Sequence, residues 1–320
     1  MAITDLIKVQ IGQAAAWGDV TAATAKVMGI TDATLSAVEP VHHTEKSNWM
    51  RPSRLAVQTG FYGEGSFSMD LSYEDLLYPL DNFFSQCTPA GTVWTYNPPL
   101  LSAVTTPNHY SIEVGATDAG YTASGALITE LNISGEAAGI WTGTFPFVCE
   151  DVDDQAMTAA LVDRAVELIR MADTTLQLDA WGTAAGTAAA SASTLISFAL
   201  NVKNGRHLKT FAGALQPTAY GETKWSGTLT TVLEFNAIGK AIVDALLTPV
   251  LTQRAIRIGA TSAGKYARID FYGTLIDGTT LFEDRDGNIT VSLTWEGTYQ
   301  PTQGTWMVIA IDNDFAGALV

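Results

Sequence analysis

His42 and His43, with Glu45 close by, form the chain's only cluster of histidines. A transition-metal site needs three or four such ligands at spacings that let them converge, and no further ligand stands at a helpful spacing. The surrounding stretch, "EPVHHTEKSNWMRPSR", reads instead as a long, exposed polar excursion. The acidic run of Glu150, Asp151, Asp153 and Asp154 offers oxygens for calcium, but a solvated linker accounts for it more simply. The "EDRDGN" turn at 283–288 lacks the ligand spacing and helical frame of an EF-hand. Two cysteines, Cys87 and Cys149, are too few for a zinc site or a disulfide framework and are expected to be buried free thiols in a reducing compartment.

Other catalytic chemistry finds no better footing. There is no G-x-S-x-G elbow, no cysteine with a histidine nearby and no glycine-rich phosphate cradle. Any two of the carboxylates could meet in space as a glycosidase pair, but nothing in the order of residues selects one. The 8 tryptophans and 10 tyrosines could stack on sugars. Most sit in alternating runs, where packing into a core is their ordinary role. No enzymatic activity and no cofactor are expected.

Charge and hydropathy narrow the remaining classes. The 320 residues carry a net charge of −16, with 47% apolar residues, enough for a sizeable core. Residues 1–160 hold 18 acidic and 5 basic side chains, and residues 161–320 hold 15 and 12. A basic stripe for gripping phosphates is absent, which disfavours ordinary nucleic-acid binding. The acidity serves solubility, or a surface past which DNA moves without sticking. The opening "MAITDLIKVQ" has no apolar h-region, and no apolar run is long enough to cross a bilayer, so a soluble protein made in a cytoplasm is expected.

The elements that would position these residues are mostly strands. "SFSMDLSY" at 66–73, "WSGTLTTVLEF" at 225–235 and "NITVSLTWEGTY" at 288–299 alternate apolar and polar residues. The last places Ile289, Val291, Leu293 and Trp295 on one face, and the Asp-Gly pair before it predicts a hairpin. Helical spacing occurs twice, at 72–86, where Ser72 can cap and Pro79 should kink or shorten the helix, and at 236–249, between Asn236 and Pro249.

The chain also repeats itself. "AVQTGFYGEGSFSMDLS" from Ala56 aligns without a gap on "ALQPTAYGETKWSGTLT" from Ala214. Trp17-Gly18 is echoed by Trp181-Gly182, and "GAT-x-AG" occurs at both 115–120 and 259–264. Such self-similarity predicts a duplication, with a first domain at 1–158, a second at 159–320, and an acidic segment and short helical turn at the junction. The expected fold is mainly β: two tandem β-sandwich or barrel domains, each flanked by one α-helix.

This order of elements is similar to that of the tail tube proteins (major tail proteins) of long flexible-tailed bacteriophages, in their duplicated form. An opening "IGQAAAWGDVTAATAKVMGITDATLSAVEP" leads to a polar excursion, a "G-x-x-S-F-S-M-D-L" strand, one helix and a closing hairpin, and "VELIRMADTTLQLDAWGTAAGTAAASASTLISFALNVKNG" resembles the start of a second copy. The resemblance implies a structural virion protein, assembled in the host cytoplasm. Its chains would form rings of three with pseudo-six-fold outline, stacked into a hollow tube through which DNA is ejected without specific binding. It implies as partners the protein itself and the tape measure, tail terminator and distal tail proteins, with no membrane. It also implies contact between rings through the polar excursions, whose matching residues are His42, His43, Glu45, Lys46, Arg51 and Arg54 in the first copy, and Lys203, Arg206, His207 and Lys209 in the second. The competing expectation is a tandem β-sandwich binding module, lectin-like or a capsid or tail decoration protein.

Overall fold

Alternation becomes burial strand by strand. In the computed structural model, which describes residues 7–43, 56–99, 105–116, 119–188, 195–246, 251–277, 283–285, 288–315 and 319, Phe67 and Met69 are buried while the intervening Ser66 and Ser68 face outward. The first half contributes β1 (Lys8–Ala14), β2 (Ala25–Lys26), β3 (Ile30–Val38), β4 (Val41–His43), β5 (Ala56–Gln58), β6 (Tyr62–Asp70), helix α1 (Leu77–Phe83), β7 (Val93–Tyr96), β8 (His109–Ala116), β9 (Ala119–Ile128), β10 (Glu130–Glu136), β11 (Trp141–Cys149) and β12 (Asp151–Asp154). The second contributes β13 (Thr174–Ala180), β14 (Leu195–Lys203), β15 (His207–Lys209), β16 (Ala219–Gly221), β17 (Ser226–Glu234), α2 (Ala237–Leu246), β18 (Gln253–Ser262), β19 (Lys265–Asp277), β20 (Glu283–Arg285), β21 (Asn288–Gly297) and β22 (Met307–Asp312). The protein is therefore mainly β, and its pairings are antiparallel throughout the described strands.

One network of pairings occurs in both halves. In the first, β3, β6 and β11 lie side by side, and the far edge of β11 takes β10 and the end of β9. The remainder of β9 pairs with β12 and with β8, which in turn pairs with β1. In the second, β14, β17 and β21 lie side by side, and β21 takes β20 and the end of β19. The rest of β19 pairs with β22 and β18, and β18 with β13. Even a register shift repeats: it falls between Ile30 and Asp32 in β3 and between Leu195 and Ser197 in β14. The halves meet edge to edge, β10 against β14, from Glu130 opposite Lys203 to Glu136 opposite Ser197. A second seam pairs β7 with β22. Among the described residues the result is one 18-stranded sheet system over a main core that runs through both halves, with a small separate cluster of Ala185, Ala255 and Tyr272.

Strand equivalence corrects the alignment of the longest echo. Tyr62 opens β6, and its counterpart is Ser226, which opens β17; Tyr220 lies instead in β16, the counterpart of β5. The Trp-Gly echo follows the matching strands β1 and β13, with two residues between Ala14 and Trp17 in the first half and Trp181 immediately after Ala180 in the second. Gly18 and Gly182 there adopt φ of 81° and 96°, which glycine alone enters freely. The "GAT-x-AG" echo marks matching hairpins but slides along them: Gly115 faces Gly120, whereas Gly259 faces Arg268. No helical turn forms after the acidic run. Asp151–Asp154 is strand β12, and 155–167 continues without helix.

Other local expectations need adjustment for physical reasons. Ser72 Oγ accepts the Asp75 N–H at 3.0 Å, but the helix itself begins only at Leu77. That late start puts Pro79 in the first turn, where its missing N–H costs no helical bond. The strands on either side of the expected turn pair, with Glu283 opposite Thr290 and Arg285 opposite Asn288, while Asp286 and Gly287 lie outside the described residues. Val291, Leu293 and Trp295 are wholly buried, whereas Ile289, at the hairpin end, is exposed. Cys149 is buried, and desolvation pushes its thiol up to about 12; Cys87 is only half-buried.

Helix α1 is buried along its whole length and fastened by polar side chains. Asn82 Nδ2 donates to the carbonyls of Asn108 (2.7 Å) and Ala126 (2.9 Å), and its Oδ1 accepts the Ile128 N–H at 2.6 Å. The Asp81 carboxylate accepts from the Cys87 N–H and the Tyr96 hydroxyl, both at 3.0 Å, and from Asn108 Nδ2. Burial outweighs these three donors and pushes the Asp81 carboxyl up to about 6. The folded protein thus holds this proton more tightly than the unfolded chain. The Asp81 contribution is fully present only below the ordinary carboxyl value of 3.8 and is lost as pH rises from there through about 6, by an amount on the order of 2 kcal/mol. Denaturation of the wild type and of Asp81→Asn from about pH 3 to about pH 7 is expected to show this decline only in the wild type.

Candidate functional surface

The seven strands β3, β6, β11, β10, β14, β17 and β21 form one broad surface whose inner side is core. Period two sends every second side chain to the other side, and there the residues are mostly hydroxyls and amides. They meet across strands in register: Thr34 and Ser66 hydroxyls lie 3.1 Å apart, Ser68 and Thr144 2.8 Å, Ser134 and Thr142 3.0 Å, Thr230 and Thr294 3.4 Å. At the seam between the halves Asn201 Nδ2 donates to Glu130 and Asn132. The polar groups thus satisfy one another and leave few donors aimed outward.

The charges on this face are almost all negative. Register places Asp32, Glu64, Asp70, Glu130, Glu136 and Glu296 on the hydroxyl side. Among the basic residues of these strands only Lys203 joins them, and its Nζ lies 3.5 Å from Glu130 Oε2. Among the described residues no activated nucleophile and no convergent acid–base pair stands on the face. What it can do is physical: carboxylates repel phosphate, and satisfied hydroxyls hold water without gripping a polyanion.

Two small hairpins stand apart from the large sheet, β4 with β5 and β15 with β16. His42 and His43 lie on β4, exposed, opposite Val57 and Ala56. Glu45, Lys46, Arg51 and Arg54 fall outside the described residues. His207 and Lys209 lie on β15 and are exposed. The hairpins are bridged where the Phe61 N–H donates to the Leu215 carbonyl at 2.9 Å. Exposed Val41, Val57, Phe211 and Leu215 add an apolar component to this region that a search for charged residues missed. The alternation of Val41 and Val57 with polar neighbours was the available signal.

Two residues assigned to the excursions do other work. Lys203 ends β14 on the sheet face rather than on the hairpin. Arg206 is fully buried: Nε donates to Glu222 at 2.8 Å, and Nη2 donates to the Phe84 carbonyl at 2.9 Å and the Thr105 hydroxyl at 3.1 Å. Nη1 donates to the Asn82 carbonyl. Arg206 therefore ties the second half to the carbonyl end of α1 and is not available to a neighbouring molecule. Beside it, Trp225 stacks on Phe84 with centroids 5.5 Å apart, closing the same joint.

Among the described residues no helix is long and apolar enough to cross a membrane. The family model described as phage tail tube protein matches residues 4–297. No curated protein matches the chain.

Proposed function

Because the chain belongs to the phage tail tube protein family, we propose that it fills two places in each ring of a hollow tail tube: three chains per ring, six pseudo-equivalent halves, with DNA ejected through the lumen. Its role as a structural component of the phage tail follows from the family; the ring count and the lumen are our reading. The observation that carries it is the repeated strand network joined edge to edge by β10 and β14. An edge pairing of that kind, continued from chain to chain, is a heterologous contact that closes into a ring. On this reading residues 1–158 and 159–320 are the two copies, and the hydroxyl face lines the lumen. The hairpins β4–β5 and β15–β16, with His42, His43, His207 and Lys209 and the excursion beyond His43, meet the next ring. The tape measure, tail terminator and distal tail proteins are the expected further partners.

Electron microscopy of the purified protein tests the reading directly. Hollow tubes whose end-on rings show three-fold symmetry with a six-lobed outline are expected. Dispersed particles at high concentration, even with a tail-tip initiator added, would count against it and favour a monomeric binding module. Deleting residues 43–52 is expected to leave folded, soluble protein that forms no tubes, read by circular dichroism and sedimentation. Unimpaired tubes from that deletion would remove the excursion from the contact between rings.

A further inference from the structure

Strand β3 is a nine-residue edge: it pairs with β6, and no described strand covers its other side. Most of its residues are exposed or half-buried, whereas its counterpart β14 is covered by β10. An uncovered edge of this length is a template for a further strand. At the opposite end of the network β20, the counterpart of β10, pairs with β21, and its outer edge likewise has no described partner.

The junction inside the chain dictates how these two edges fit. The shared register shift makes Asp32 the equivalent of Ser197, and hence Ala33 of Phe198 and Thr34 of Ala199. Carrying that equivalence across β6 and β17 to β11 and β21 makes Thr142 the equivalent of Thr290. Their partners Ser134 and Glu283 are then equivalent, as are Gly135 and Asp284, and Glu136 and Arg285. Within the chain, Ser134, Gly135 and Glu136 face Ala199, Phe198 and Ser197.

We propose that β20 of one chain adds antiparallel to β3 of the next, with Glu283 opposite Thr34, Asp284 opposite Ala33 and Arg285 opposite Asp32. The proposal rests on the ring reading above and specifies its chain-to-chain joint. The register places Arg285 opposite Asp32, residue types of opposite charge. The same slot within the chain is occupied by Glu136 and Ser197, so this pairing belongs to the joint between molecules.

Charge exchange tests the register in protein that assembles. Asp32→Arg alone and Arg285→Asp alone are each expected to raise the critical concentration for tube formation by about five-fold, since like charges directly opposite are unfavourable. The double exchange is expected to restore it to within about two-fold of wild type. Failure of the double exchange to recover, with both single variants impaired and folded, would overturn the pairing. Cysteines at Thr34 and Glu283 supply a second measurement, because directly opposite residues are close enough for a disulfide. Mild oxidation of assembled tubes is expected to link neighbouring chains there. Cysteines at Thr34 and Asp284 point to opposite faces and should not link. Linking of the second pair and not the first would also overturn the register. Absence of tubes from the wild-type protein would instead fell the ring reading itself.

Discussion

Replacing Arg206 with methionine is expected to lower the unfolding free energy by about 3–5 kcal/mol. The guanidinium is wholly enclosed and serves the Glu222 carboxylate, the Thr105 hydroxyl and the carbonyls of Asn82 and Phe84. Methionine fills a similar volume, so the loss comes from what is left behind: a carboxylate only 13% exposed with no cation, and helix-end carbonyls without donors. The unpaired charge dominates. Arg206→Met combined with Glu222→Gln is therefore expected to recover a large part of the loss, and urea denaturation of the four proteins forms the double-mutant cycle. Arg206→Met alone costing under about 1 kcal/mol would mean that water reaches the site and that the joint is held by Trp225 and Phe84 instead.

That joint was not legible in the sequence, and the reason is distance along the chain. Arg206 sits in a run with Lys203, His207 and Lys209 that reads as a basic loop. Only the arrival of α1, from the other half, turns it inward. Periodicity reports which side of a strand faces a core; it cannot report that a charged residue will be met by carbonyls from a remote helix. Strand identity was legible for the same reason in reverse, since Phe67, Met69, Val291, Leu293 and Trp295 signal burial through their immediate neighbours. Ile289 escaped because a strand end outruns its core. The repeat was visible, but its longest echo was out of frame. Tyr-Gly-Glu recurs on neighbouring elements, β6 and β16, and only pairing register distinguishes them. The hydroxyl face was present as the polar half of each alternation, but its continuity across seven strands depends on β10 meeting β14.

The two kinds of joint in the proposed ring are unequal, and the inequality has a direction. Inside the chain, β7 extends β22, and Arg206 anchors α1. Between chains the segment from α2 to β18 is too short to hold a counterpart of β7, and Pro40 stands before β4 where Arg206 stands before β15. On the ring reading, the described residues therefore offer the chain-to-chain joint no counterpart of β7 or of Arg206. If the proposed ring holds, a protomer built this way would fold as one unit and associate more weakly than its halves do, which would suit assembly controlled by a growing tube end.

Placing lysine at Ser66 and Thr230 is expected to convert a passage for DNA into a trap. The two positions are equivalent in the halves and lie on the hydroxyl face, each with its hydroxyl against a neighbouring threonine. Losing one such surface contact costs under about 1 kcal/mol per site, so tubes should still form. Each three-chain ring would then gain six cations among its carboxylates, repeated at every ring along the bore. Phosphate contacts release counterions, so even weak contacts multiply along a duplex and weaken steeply with salt. Assembled wild-type tubes are expected to retain no duplex DNA at low salt. Variant tubes should retain nuclease-protected DNA and release it as salt rises, and phage carrying them should stall during ejection. Retention of DNA that nuclease can digest would place Ser66 and Thr230 on the outer wall. Unchanged passage would mean that the hydroxyl face does not line the bore, because a duplex confined beside six added cations per ring has no route that avoids them.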